Sequence, residues 1–401
     1  MPRELLEFYT GVRGFEVVRL NGYESFQKRI IDTGLYETIK KLAAILNLNG
    51  WTPQNAGNIS IRETPHHSNF TITASGSNFS DLRIDDIVHV AHIGITVGDQ
   101  ELIMGSNRGR RGEFNSYRLL KSLKDQNLLE QLKTDLDLDI KFNDPEERLA
   151  KLKQGRELIT QLGISYAQIA EMREHRDKFY NLAGFTKKQS AAFNLAYHCE
   201  NIPYNIFFGM ELENANREVD RQGLSLKRLV SYLGEKNLIK CKVYTLAPED
   251  RKPSSEALLH GIIYANRWMG PQNVNAIVHC HAPEIVDNPG NVPVTETPVE
   301  EAGYGTLELA VETIEAISQR KEGPYTVWYD DESTIGNKRH DIAVVLQGHG
   351  PVVVTNKWES FDKTLGHALA RLKEIDRRSK MGYLAKKIEA VKEFTYKTLG
   401  I

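Results

Sequence analysis

Apolar residues recur at helical spacing at Ile39, Leu42, Ala43 and Leu46 within GLYETIKKLAAILNLN (34–49). This predicts a helix that stops near Asn49 and Gly50. The pattern then switches to alternation. GNISIRE (57–63), NFTITASG (69–76) and DDIVHVAHIG (85–94) read as strands bounded by Gly and Asn. From about residue 104 to 240 charged helical patterns dominate, as in SYRLLKSLKDQNLLEQLKTDL and ERLAKLKQGRELITQLG. Alternation returns with IKCKVYTLA (239–247), and NVNAIVHCHA (273–282) predicts a further strand. PSSEALLHGIIYANRW (253–268) predicts a helix capped by Ser254 or Ser255, with Glu256 in its first turn. GTLELAVETIEAISQ (305–319) predicts another helix, DIAVVLQGHGPVVVT (341–355) two strands around a Gly-rich turn, and the remainder a long helix. The pattern divides the chain into an N-terminal extension (1–33), one α/β domain in two pieces (34–103 and 241–401), and a mainly helical insertion (104–240).

Composition narrows the class of function. A formal net charge of -2 over 401 residues gives no general attraction to nucleic acid or to an anionic membrane. No apolar run approaches the roughly 18 residues of a membrane span, and no signal segment opens the chain. The three cysteines, Cys199, Cys241 and Cys280, are scattered and form no CxxC pair. That usage fits a reducing compartment, and a cytoplasmic protein is expected. No nucleic-acid or membrane partner is expected. A dinucleotide is not suggested either, because no Gly-x-Gly-x-x-Gly follows a strand.

The chemistry lies in IVHCHAPE (277–284). His279 and His281 stand at i and i+2, so a strand carries both on one face, shared with Ile277. Two neutral imidazoles there either bind one divalent metal or are ordinary half-buried histidines. Cys280 points the other way and reads as a buried thiol. His349, in QGHGPVV, also follows an apolar strand, and its flanking glycines permit a tight turn. On its own it would be a turn histidine. Together with the HxH pair it completes a possible set of three ligands. Glu256 is either a first-turn residue that suits its helix dipole or an acid–base group. Asn58 and Ser75 are each ordinary turn residues when taken alone.

The blocks AGNISIR (56–62), TASG (73–76), PSSEALLH (253–260), VHCHA (278–282), YGTLELA (304–310) and LQGHGPVV (346–353) occur in the order of the class II aldolase and adducin family. The chain resembles that family over about 50–103 and 245–380. The resemblance implies a three-layer α/β/α fold around a mixed, largely antiparallel sheet, with the insertion looped out. It implies that His279, His281 and His349 are metal ligands and that Glu256 is the general base. It further implies that Gly57, Asn58, Ser75, Gly76, Ser254 and Ser255 form a phosphate cradle, ending at a helix N-terminus that favours an anion. Zinc is the first expectation for the metal, with manganese, iron or cobalt as alternatives. A homotetramer acting on a small phosphorylated carbohydrate is expected by the same resemblance.

The expected reaction is aldolase-type carbon–carbon cleavage of a phosphorylated sugar or related hydroxy-ketone. Dehydration or epimerisation on the same metal site is an alternative. A non-enzymatic, adducin-like assembly role is another, against which the retained histidines and Glu256 argue. One departure concerns the general acid. The family's aldolases use a tyrosine from the loop after the HxH strand, and Tyr304 is no evident match for it. Glu296, Glu300 and Glu301 crowd the same loop. In the insertion, Arg108, Arg110 and Arg111 form a basic cluster that is either a solvated loop or a lid. Phe193, Tyr197, Tyr204, Phe207 and Phe208 read as a helical core or a subunit contact.

Overall fold

The computed structural model describes residues 14–53, 56–63, 69–104, 114–141, 144–172, 175–265, 274–290, 292–303, 305–318, 341–355 and 358–399. The chain folds as two compact units, residues 1–114 with 227–401, and residues 115–226.

The first unit opens with β1 (Phe15–Arg19), α1 (Tyr23–Asp32) and α2 (Leu35–Leu48). These are followed by β2 (Asn58–Ile61), β3 (Phe70–Thr73), β4 (Ile87–Val97) and β5 (Gln100–Met104). The second unit holds α3 (Ser116–Asp125), α4 (Leu129–Leu136), α5 (Pro145–Gln161), α6 (Tyr166–Glu171), α7 (Arg176–Leu182), α8 (Lys187–His198) and α9 (Tyr204–Arg221). The chain continues through α10 (Leu226–Glu235), β6 (Ile239–Leu246), α11 (Ala257–Ala265), β7 (Ala276–His279) and α12 (Pro283–Asp287). It ends with α13 (Val299–Ala302), α14 (Leu307–Ser318), β8 (Asp341–Leu346), β9 (Gly350–Thr355) and α15 (Phe361–Leu399).

Nine strands form one mixed sheet among the described residues, in the order β1-β6-β4-β3-β2-β7-β9-β8, with β5 paired to β4. The pairing of β1 with β6 is parallel. The other pairs are antiparallel. Alternation along the strands explains the layers. Ile59 and Ile61 of β2 and Val278 of β7 join a core with Phe26 and Ile30 of α1, Leu42 and Leu46 of α2, and Leu365 and Leu372 of α15. The opposite face is covered by α11 and α14, and every residue of α11 is buried. This is the three-layer α/β/α arrangement expected. No helix among the described residues is long and apolar enough to cross a membrane.

Two boundaries differ from those the pattern suggested. Residues 15–33 carry an edge strand and a core-packed helix rather than an extension, since β1 pairs with β6 and Phe26 and Ile30 are buried. The helical unit begins at 115 and ends at 226, inside the 104–240 expected. The sheet itself extends to Met104 through β5, and α10 after Leu226 belongs to the first unit. The core of the second unit is aromatic. Phe193, Phe207 and Phe208 are buried, Tyr197 packs against that core partly buried, and Tyr204 is exposed. Arg108, Arg110 and Arg111 lie outside the described residues.

Candidate metal and acid–base site

Antiparallel pairing brings the distant blocks to one end of the sheet. Asn58 lies opposite His279 in the β2–β7 pair, and His279 lies opposite Val352 in the β7–β9 pair. The β8–β9 turn therefore delivers His349 beside the end of β7. Close backbone approach is required there. A Cβ on Gly350 would stand 2.0 Å from the Cys280 carbonyl oxygen, and Gly57 has φ +107 with a Cβ position 2.7 Å from the His279 carbonyl oxygen.

His279, His281 and His349 each offer a ligand nitrogen, and these atoms lie within 4.8 Å of one another. His279 and His349 are buried, and His281 is half-buried. His279 Nδ1 lies 3.1 Å from the Pro351 carbonyl oxygen. A carbonyl only accepts, so Nδ1 carries the proton and Nε2 is left with its lone pair. That Nε2 is buried and has no hydrogen-bond partner. A second nitrogen tied to a backbone carbonyl is the usual orientation of a metal-binding imidazole. Burial pushes His281 down to about 4, the neighbouring His349 adding to the shift and Glu256 opposing it. Burial lowers His279 well below the ordinary imidazole value in the same way. For His279 and His281 this favours the neutral form with an available lone pair, which is the form that binds a dication, so the donor set fits a divalent metal. Cys280 lies on the other face of the strand in the α2–α15 core, where burial raises its thiol pKa.

Glu256 precedes α11 and reaches into the histidine trio. Its Oε1 is 3.0 Å from His349 Nε2, and its Oε2 is 3.4 Å from His279 Nε2 and 2.7 Å from Asn58 Nδ2. Burial alone would raise this carboxyl. The neighbouring His279 and His349 imidazoles and the Asn58 amide outweigh burial and hold it well below the usual carboxylate range. An ionised carboxylate beside neutral imidazoles leaves the pocket negative, which again suits a dication.

The three donor loops also converge. Ala74 bridges to Pro253, Ser75 N–H donates to the Lys252 carbonyl, and Ser254 N–H donates to the Thr73 carbonyl. Ser254 Oγ accepts from Glu256 N–H at 3.3 Å, so Ser254 rather than Ser255 caps the helix start. Gly76 is exposed, while Gly57, Ser75 and Ser255 are half-buried. Because the Ser75 and Ser254 N–H groups already serve backbone carbonyls, an anion here would draw on the hydroxyls rather than on those two donors. Gly305 (φ +68) packs so closely that its Cβ would stand 2.1 Å from the Ser255 carbonyl oxygen. Tyr304 is outside the described residues. Glu296 is exposed and 3.7 Å from Lys227.

Sequence reasoning passed over a buried polar row behind Glu256. Ser60 Oγ lies 2.6 Å from His260 Nδ1 and 2.8 Å from the Tyr264 hydroxyl. Arg62 lies over the Tyr264 ring, 4.9 Å from its centroid, and donates to the Tyr264 carbonyl. The signal available was spacing: every second residue from Asn58 and every fourth from Glu256 is polar or part-polar within apolar segments.

The model of the class II aldolase and adducin N-terminal domain matches residues 37–110 and 222–382. Among solved structures, the chain is similar to an L-fuculose 1-phosphate aldolase, at 14% identity, covering 89% of this chain and 88% of that chain, with a TM-score of 0.38. It is also similar to the L-fuculose-1-phosphate aldolase of Thermus thermophilus, at 12% identity over 89% of this chain and 96% of that chain, with a TM-score of 0.36. No curated protein matches the chain.

Proposed function

The chain belongs to the class II aldolase and adducin family, and from that premise we propose that it is a divalent-metal-dependent lyase acting on a phosphorylated sugar or related hydroxy-ketone. The observation that carries this reading is the convergence of three histidine nitrogens within 4.8 Å beside a buried carboxylate. An adducin-like assembly role gives no reason to bury such a set.

His279, His281 and His349 would hold the metal, with zinc the first choice for three neutral nitrogens. A dication bound there supplies Lewis-acid polarisation of a substrate carbonyl. Glu256 would act on the carbon beside that carbonyl. Its carboxylate removes a proton from this carbon in the condensation direction and returns it when the carbon–carbon bond breaks. Asn58 keeps the carboxylate ionised and oriented through one amide hydrogen. Its second amide hydrogen leaves it able to serve the anion as well. The Gly57, Ser75, Gly76, Ser254 and Ser255 loops would bind the phosphate. Family resemblance supports a homotetramer, and three free cysteines support a reducing cytoplasm.

The deciding experiment incubates zinc-loaded protein with a panel of sugar phosphates and their dephosphorylated counterparts, followed by NMR. Cleavage of at least one phosphorylated member, with little turnover of its counterpart, is expected. Dehydration or epimerisation without cleavage would move the reading to those reactions. No conversion of any member would overturn it.

A further inference from the structure

Strand β2 and the residue after it present Asn58, Ser60 and Arg62 at every second position to α11, and α11 with its leading residue presents Glu256, His260 and Tyr264 at every fourth. These six residues are between 0% and 3% exposed. Two strand residues advance about 6.7 Å and four helical residues about 6.0 Å, so the two rows stay in step over three rungs. Asn58 meets Glu256, Ser60 meets His260 and Tyr264, and Arg62 meets Tyr264. Elsewhere the strand is apolar, with Ile59 and Ile61 packed in the α2–α15 core. Burying polar groups costs free energy unless their bonds are made, and a well-packed apolar face would bind the helix at least as firmly. What a hydrogen-bonded row adds is a fixed register, since a slip along the strand breaks every rung.

Register matters at the upper end of this row. Glu256 stands just before α11, and its carbonyl accepts from His260 N–H at 3.0 Å. Displacement of His260 therefore carries Glu256 with it. The Glu256 carboxylate is held by hydrogen bonds of 2.7 Å with Asn58 and 3.0 Å with His349, which tolerate little movement.

We propose that Ser60, His260 and Tyr264 are positioning residues that set the place of the Glu256 carboxylate against His279 and His349. This rests on the reading that the histidine trio holds a dication. A carboxylate in contact with two ligand imidazoles strengthens dication binding by its charge and by orienting the rings. Loss of the row therefore weakens the metal through Glu256.

The test measures zinc affinity by chelator competition for the full chain. His260→Leu, His260→Asn and Ser60→Ala are each made in the wild-type and Glu256→Gln backgrounds. His260→Leu is expected to weaken zinc about 10-fold in the wild-type background. His260→Asn, whose amide can replace Nδ1 toward Ser60, should recover most of that loss. In the Glu256→Gln background the His260 and Ser60 changes should have almost no further effect, which is the non-additivity of residues acting through one group. Equal losses in both backgrounds, or no loss in the wild-type background, would overturn the positioning role. If His260→Leu does not fold, Ser60→Ala completes the same cycle. Wild type that binds no zinc, with His279→Ala unchanged from it, would overturn the metal reading and this inference with it. That result is distinct from a zinc-binding wild type whose cycle is additive.

Discussion

Asn58 donates its side-chain amide to Glu256 at 2.7 Å across 198 positions of sequence, and both residues are buried. The residue expected to face a phosphate is thus first a partner of the candidate base. Asn58→Leu removes this donor while keeping a similar volume. A buried carboxylate left with one hydrogen bond fewer should cost about 1–3 kcal/mol. Urea unfolding of the chelator-treated protein measures it, and an unchanged midpoint would show that the bond contributes nothing.

Purified protein should carry one divalent metal per chain, with zinc preferred. The trio supplies three nitrogens, the number of protein ligands in catalytic zinc sites. Elemental analysis of wild type beside His279→Ala and His349→Ala checks this. Both variants should lose the metal, and full stoichiometry in both would dismiss the trio.

Glu256→Gln should keep the fold, bind zinc more weakly, and lose turnover even when saturated with zinc. The amide keeps the size and still accepts from Asn58, yet it cannot take a proton. A fall of about 10²–10⁴-fold in kcat is expected for a lost acid–base group. Turnover near that of wild type on the same substrate would assign the proton transfer to another residue.

The histidine cluster was legible because two histidines two apart on a strand must share a face, whatever the rest of the fold does. Glu256 was legible through the block around it. The order of the sheet was not. Pairing of Phe15 with Cys241 in a parallel edge joins segments whose patterns say only that each is a strand. Ser60 and His260 were equally hidden, since a period of two names a face and a period of four names a stripe, but neither names the partner. The edge of the helical unit was misjudged because composition changes near residue 104, whereas the compact unit starts at 115. Composition reports solvent exposure, and packing decides membership.

Burial pushes His260 down to about 4, with the Glu256 charge opposing. Ser60 bonds the ring and Tyr264 bonds Ser60, and neither charges near neutrality. A depressed folded pKa means that the unfolded chain takes up a proton as pH falls through about 6.5, which the folded chain refuses until about 4. Stability from this group is thus full above 6.5 and declines toward 4, by at most about 1.4 kcal/mol per pH unit. His281 acts in the same direction. In chelator-treated protein, His260→Asn should flatten part of this decline. Parallel stability curves for wild type and variant would refute the assignment.

Gly350 is where the β8–β9 turn presses on the end of β7. A Cβ there would lie 2.0 Å from the Cys280 carbonyl oxygen and 3.1 Å from His281 Cα. Both obstacles are backbone, so no side chain can swing aside. Gly350→Ala must therefore push the two turns apart, and those turns carry His349 on one side and His281 on the other. The imidazoles of these residues have centroids only 3.9 Å apart, and a metal needs each nitrogen placed within a few tenths of an ångström. Overpacking of this kind costs about 1–3 kcal/mol. The loss of zinc affinity should exceed what the loss of stability alone predicts, because the displacement falls on the ligands themselves. Gly366→Ala supplies the control, since nothing lies within 4 Å of its Cβ position. Zinc affinity and urea midpoint measured for both variants decide the matter. A Gly350→Ala protein with wild-type zinc affinity would mean that the close approach has no part in assembling the trio.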